Sequence, residues 1–346
     1  MWLNRIAWLD GENIMDIIKK LYIEPTSACN LSCRMCFRHT WIDEEIGSMS
    51  DETVERVFDY ISGYKPETVF FGGMGEPLVH RRITQMVKMA AENCRNVELI
   101  TNGTCLSAEM SKKLIENGLT RLWISMDGFS AEEYEKIRLG GRFETITKSI
   151  EMFNRLRNGT DVQLGITFVV MAENEAQLDL INDFADRYNV DIINVSHAIP
   201  GTANVGAREF YKKDIHVGKM QRYGKGFEEK PCEYCPFVNE DMCFVKWNGS
   251  VVPCMQLLHS STTFMFDLER KVYSHSFGNV NDTPLFEIYS GREYTGFRER
   301  VKTFDFPTCT LCEGCELREQ NLEDCMYNEK PTCGACLWAT GKVFCP

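Results

Sequence analysis

The stretch Cys29-Asn-Leu-Ser-Cys33-Arg-Met-Cys36-Phe37 stands just after the apolar segment Leu21-Tyr-Ile-Glu-Pro25. Three thiolates at the spacing C-x3-C-x2-C are one short of the four that a cubane iron–sulfur cluster normally takes. A closed metal site is structural, whereas a site with an open position can do chemistry. The missing ligand therefore matters most, because it leaves one iron free for a substrate or cofactor. The competing reading is a zinc site completed by a residue such as His39. Zinc favours pairs of C-x2-C, which this loop lacks.

From the triplet outward, residues 19 to about 200 alternate short β-rich runs with amphipathic helical runs. Strands are expected at 21–24, 68–71, 97–101, 121–125, 162–170 and 191–195. A helix over 51–61 follows a Ser50 cap and puts Val54, Val57, Phe58 and Ile61 on one face. A second over 108–117 follows Ser107 and stops at Gly118, and the 3.6-residue period recurs over 143–156 and 175–188. Six β–α units imply a parallel sheet with right-handed crossovers. Six is fewer than the eight of a closed barrel, so the expected class is α/β, an open partial (β/α)6 TIM-type barrel. Its reactive face should be the C-terminal ends of the strands, where the three-cysteine loop falls. Beyond residue 200 turns and cysteines dominate. The expected division is an N-terminal extension 1–18, a barrel 19–205, a linker 206–230 and a cysteine-rich domain 231–346 whose core is too thin to stand without metal.

The bulk numbers narrow the class. The chain has 346 residues, 44% of them hydrophobic, and a net charge of −12. That charge argues against nucleic acid or an anionic membrane surface as partner. No apolar run reaches the roughly 18 residues that span a bilayer, and the N-terminus is too broken by polar groups for a signal peptide. Sixteen cysteines are the outlier, and eleven of them follow residue 230. Closely spaced C-x2-C thiols suit metal chelation better than disulfide staples, which implies a reducing, cytoplasmic setting.

Further strand ends carry polar or glycine-rich elements. Phe70-Phe71-Gly72-Gly73-Met74-Gly75-Glu76-Pro77 ends the second strand, where glycines let backbone approach a ligand. Thr101-Asn102-Gly103 ends the third, Ser125-Met-Asp127-Gly128 the fourth, and Arg138 follows. Together with the triplet, these resemble the radical S-adenosylmethionine (SAM) superfamily. The resemblance implies that Cys29, Cys33 and Cys36 hold a [4Fe–4S] cluster whose open iron is chelated by SAM. It implies that Gly72, Gly73, Met74, Gly75 and Glu76 bind SAM, the backbone of the glycines receiving its amino group, although Met74-Gly75 is an insertion into the shortest form of that element. Asn102, Ser125 and Asp127 fall at positions expected to contact the cofactor, and Arg138 would pair with its carboxylate.

The remaining cysteines run Cys232-x2-Cys235-x7-Cys243-x10-Cys254, then Cys309-x2-Cys312-x2-Cys315-x9-Cys325, then Cys333-x2-Cys336-x8-Cys345. This resembles the SPASM extension, which holds auxiliary [4Fe–4S] clusters. By that resemblance one cluster takes Cys235, Cys243, Cys254 and Cys325. The other takes Cys309, Cys312, Cys315 and one of Cys333, Cys336 or Cys345. A bacterial ferredoxin run is the alternative, but Glu319 stands where its fourth cysteine belongs. Cys94 and Cys105 read as small core residues. The polar stretch from Met255 through His259 to Val280 either lines a substrate pocket or forms an ordinary hairpin.

This stretch and the cysteine-rich C-terminus look like the radical SAM maturases of tungstopterin aldehyde oxidoreductases. The implied activity is reductive cleavage of SAM to a 5′-deoxyadenosyl radical and removal of a substrate hydrogen, with three [4Fe–4S] clusters in all. The implied partners are a peptide, protein or cofactor substrate and a low-potential reductant such as ferredoxin or flavodoxin, with no nucleic acid and no membrane. The alternative is crosslinking of a ribosomally made peptide. The 18 residues before the first strand are too few for the peptide-binding domain such enzymes often carry. A non-catalytic iron–sulfur or zinc protein would need neither the glycine element nor an open iron.

Overall fold

The computed structural model describes residues 17–201, 218–221, 233–265, 268–307, 309, 315–339 and 341–346. Most of the expected extension and linker, together with Cys232 and Cys312, lie outside the described residues.

Six parallel strands appear where the β-rich runs predict them. They are β1 (Lys20–Ile23), β2 (Thr68–Phe71), β3 (Asn96–Thr101), β4 (Arg121–Ser125), β5 (Gln163–Val170) and β6 (Ile192–His197). Each is apolar and almost wholly buried, as a parallel strand covered on both faces must be. The intervening helices start at hydroxyl caps. Ser50 accepts from Thr53 N ahead of α1 (Asp51–Tyr64), and Ser107 accepts from Met110 N ahead of α3 (Ala108–Glu116). α1 runs one turn past its expected end and stops at Lys65, which is left-handed with φ 49°. Helices α2 (Ile83–Ala91), α4 (Ala131–Ile137), α5 (Phe143–Arg157) and α6 (Ile181–Arg187) complete the outer layer. The run expected as one helix from 175 begins as a 3-10 turn, Glu175–Leu180, and becomes α-helical at Ile181.

The sheet does not stop at six strands. Its order is β7-β6-β5-β4-β3-β2-β1-β8-β9, with β7 (Gly218–Gln221), β8 (Met242–Val245) and β9 (Val251–Val252). β8 lies parallel to β1 in the register Leu21↔Cys243 and Ile23↔Val245. The first strand of the C-terminal region thus covers a sheet edge that would otherwise present unpaired backbone groups. The join is aromatic: Tyr22 stacks on Phe244 with ring centroids 4.2 Å apart and lies 4.7 Å from Phe70. A separate hairpin, β10 (Ser261–Met265) with β11 (Leu268–Val272), packs against the turns Phe37–Thr40 and Glu316–Glu319. Among the described residues no helix is long and apolar enough to cross a membrane.

Candidate active site

A cavity of about 280 Å3 opens at the C-terminal ends of β1 to β6. Cys29, Cys33 and Cys36 line it together with Gly73, Met74, Gly75 and Glu76. Asn102, Ser125 and Arg138 also line it, so strand ends far apart in sequence converge on one mouth. The rest of its polar wall comes from Thr101, Thr167, Asn194, Ser196 and His197. The last four belong to no motif; their only signal in the sequence is position on β5 and β6.

The thiol loop is held by backbone bonds and by one guanidinium. Arg38 donates to the carbonyls of Leu31 and Ser27, and Leu31 N lies 3.5 Å from Cys29 Sγ. Asn102 Nδ2 donates to Asn30 Oδ1 at 2.9 Å and lies 3.7 Å from Cys29 Sγ. Burial pushes the Cys33 thiol up to about 11, with Arg138 pulling the other way, and burial also raises Cys29. His39 does not turn to the thiols: its Nε2 lies 3.1 Å from the Cys33 carbonyl.

The glycine element is shaped by close backbone approach. A Cβ on Gly75 would sit 2.1 Å from the Thr26 carbonyl oxygen, and one on Gly73 would sit 2.6 Å from Glu24 Cγ. Glu76 does not present its carboxylate freely. Its oxygens accept from Leu78 N, from Thr101 Oγ1 at 2.7 Å and from Asn102 N at 2.7 Å. Burial raises its pKa against those three bonds. Gly72 does not line the cavity; its N–H bonds the Ile23 carbonyl at 2.9 Å.

Asp127 is fully buried behind the wall. It accepts from Val169 N at 2.8 Å and ion-pairs with Arg138 at 2.6 Å. Burial pushes its carboxyl upward, and Arg138 opposes that. The Arg138 guanidinium, expected to face a cofactor carboxylate, is thus partly engaged, and its Nη1 lies 4.0 Å from Cys33 Sγ.

Beneath the glycine element lies a buried ionic chain that no motif announced. Glu24 Oε1 accepts from Met74 N at 2.9 Å. His259 Nε2 lies 3.0 Å from both Glu24 oxygens, and its Nδ1 lies 2.8 Å from Glu44. Lys246 and Ser260 N also bond Glu44, and Trp41 stacks on the imidazole at 4.2 Å. Burial opposes charge on His259, but Glu24 and Glu44 override it and its pKa is raised. Burial likewise opposes charge on Glu44, yet His259, Lys246 and Ser260 N hold its pKa down to about 2. His259 therefore carries a charge as part of this chain rather than lining the cavity.

The C-terminal thiols gather by tertiary contact. Cys254 interacts with Cys235, Cys336 and Cys333, and Cys333 with Cys336 and Cys235. Cys309 abuts the same loop, its Sγ 3.0 Å from a Cβ built on Gly334. Cys243, on β8, instead sits in a core with Tyr294 and Arg298, its Sγ 3.9 Å from the Phe244 carbonyl. Cys325 is exposed, Cys315 is half-buried, and Cys345 lines the barrel cavity with its sulfur 3.3 Å from Trp338 Nε1.

Comparison with known proteins agrees with this geometry. Residues 23–185 match the model of the radical SAM superfamily, and residues 232–316 match that of the SPASM iron–sulfur cluster-binding domain. The tungsten-containing aldehyde ferredoxin oxidoreductase cofactor-modifying protein of Pyrococcus furiosus is 33% identical over 350 aligned residues, spanning 95% of this chain and 97% of that one. The solved structure of native anSMEcpe with bound AdoMet superposes with a TM-score of 0.61 at 20% identity, covering 82% of this chain and 83% of that one. Streptococcus suis SuiB bound to precursor peptide SuiA gives 0.59 at 16% identity, covering 82% and 67%.

Proposed function

The chain belongs to the radical SAM superfamily and carries a SPASM iron–sulfur cluster-binding domain, and from that premise we propose that it matures a tungsten-containing aldehyde oxidoreductase by modifying its cofactor or a peptide of it. The observation that carries the substrate is the 33% identity to a cofactor-modifying protein, which spans barrel and C-terminal region alike.

Cys29, Cys33 and Cys36 would hold the catalytic [4Fe–4S] cluster. The donor set supports this: three thiols share one cavity, with N–H groups of Leu31, Asn102 and Arg138 facing two of the sulfurs. Beside them Gly73 and Gly75 line the same cavity, and glycine is required there because a side chain would collide with Glu24 or the Thr26 carbonyl. Bound there, the cluster and SAM would supply reductive radical chemistry for hydrogen abstraction. The residues of this chain do the positioning. Glu24 fixes the Met74 peptide, Glu76 ties the glycine element to the end of β3, and Asp127 orients Arg138. Asn194, 2% exposed with its Oδ1 unpartnered, offers an acceptor to whatever fills the cavity. For the auxiliary clusters, Cys235, Cys254, Cys333 and Cys336 are the first ligand set we propose, with Cys309, Cys312 and Cys315 contributing to a second.

Reconstituted without oxygen, the protein should bind about twelve irons, three cubanes of four. Replacing Cys29, Cys33 and Cys36 together by alanine should remove about a third of that iron and all release of 5′-deoxyadenosine under dithionite. Retained cleavage would refute the assignment. For the substrate, deleting the gene should leave a tungsten-dependent aldehyde oxidoreductase of the same cell inactive; full activity in the deletion strain refutes that part.

A further inference from the structure

Arg270 stands on β11 against the second group of thiols. The residue is 5% exposed and lines a small cavity with Cys254, Cys333 and Cys336. Its Nη2 reaches the Gln320 carbonyl at 3.3 Å, while Nε and Nη1 have no hydrogen-bond partner. No carboxylate pairs with it among the described residues. Its electrostatic neighbours are Cys309, Cys336 and Cys333, with Arg318 as an opposing cation. The other cation near Cys333 is Arg300, whose Nη2 is engaged by the carbonyls of Glu329 at 3.0 Å and Pro331 at 3.4 Å.

A buried guanidinium with two N–H groups lacking acceptors is strongly unfavourable on its own. It persists where an anion completes it. A cubane held by four thiolates is such an anion, and its sulfurs accept N–H hydrogen bonds. We infer that Arg270 is the counter-charge of the auxiliary cluster at Cys235, Cys254, Cys333 and Cys336, and that it raises that cluster's reduction potential. This rests on reading those four thiols as one cluster site. One-electron reduction adds negative charge to the cluster, and a fixed cation with donors on its sulfurs stabilises the reduced form more than the oxidised one. Arg270 belongs to no sequence motif, and Cys333 and Cys336 lie beyond the matched iron–sulfur domain, which ends at residue 316.

The test is an anaerobic redox titration of the reconstituted full chain, followed by electron paramagnetic resonance. Cys333→Ser identifies the signal of this cluster by removing it. In Arg270→Gln that same signal should become at least tenfold harder to reduce, about 59 mV lower for one electron. Arg270→Lys, which keeps the charge, should fall between Gln and wild type. An unchanged potential in Arg270→Gln, equal shifts in Gln and Lys, or a shift confined to another cluster overturns the inference. A Cys333→Ser protein that loses neither iron nor signal overturns the reading of the thiols, and the inference with it. Should Arg270→Gln not hold iron, wild-type protein labelled with 15N-arginine decides. Nitrogen coupling to the reduced cluster, lost in Arg270→Lys, supports the inference, and its absence overturns it.

Discussion

The two groups of thiols are built in opposite ways. Cys29, Cys33 and Cys36 come from one short loop, and the parallel strand β1 delivers them to the sheet's reactive end. Cys235, Cys254, Cys333 and Cys336 come from three separate segments that only the tertiary fold brings together. A local site can be lost without losing the scaffold, because the sheet behind it has its own core. A site assembled from distant segments ties metal binding to folding.

The largest expected effect tests that contrast directly. Cys254→Ser should remove about four irons and leave the segments around 254 and 333 open to proteolysis, whereas the barrel triplet variant should keep its resistance. Equal protection in both would break the comparison.

His259→Gln comes next. It leaves Glu24 and Glu44 buried without the cation between them, a loss of about 3–5 kcal/mol. Denaturant unfolding measures it. The pH dependence follows from the two shifts. The His259 contribution is fully present below its ordinary 6.5 and is lost as pH rises through its raised value. The Glu44 contribution is present above its ordinary 4.5 and is lost as pH falls toward about 2. The network is therefore at full strength between those ordinary values, and His259→Gln should flatten the alkaline limb of the stability profile. A limb as steep as wild type contradicts the assignment.

Gly75→Ala should cost about 1–3 kcal/mol, because its Cβ would press on the Thr26 carbonyl rather than on a yielding side chain. It should also weaken SAM binding more than tenfold in equilibrium dialysis, while Gly63→Ala, which meets nothing and lies within α1, should cost no stability and leave SAM binding unchanged. The smallest effect is expected at Cys243. Its alanine variant should keep all its iron and lose about 1 kcal/mol as a core substitution. Loss of four irons there would restore it to the ligand set that the resemblance implies and displace Cys333 or Cys336.

The barrel was legible because its signals are short-range. Ser50 and Ser107 announced helix starts, and Thr68–Phe71 announced a buried strand, because capping and periodicity act over a few residues. The glycine element was legible for the same reason, but not the reversal at Glu76, whose carboxylate turns inward to β3. His259 stands in a stretch that reads either as pocket lining or as an ordinary hairpin. It is instead a buried cation between Glu24 and Glu44, residues 235 and 215 positions away. Cys243 is a ligand by the family resemblance, yet alternation along β8 turns it toward Tyr294.

By itself, then, the sequence determined the three-thiol loop, the strand that carries it and the open barrel class. Each is written in covalent spacing that holds before the chain folds. Only the tertiary structure decided which C-terminal thiols meet, that β8 extends the sheet, that Arg270 is buried beside those thiols, and that His259 is buried between two carboxylates. Those outcomes depend on which distant segments lose water together, and burial is a property of the folded chain rather than of any stretch within it.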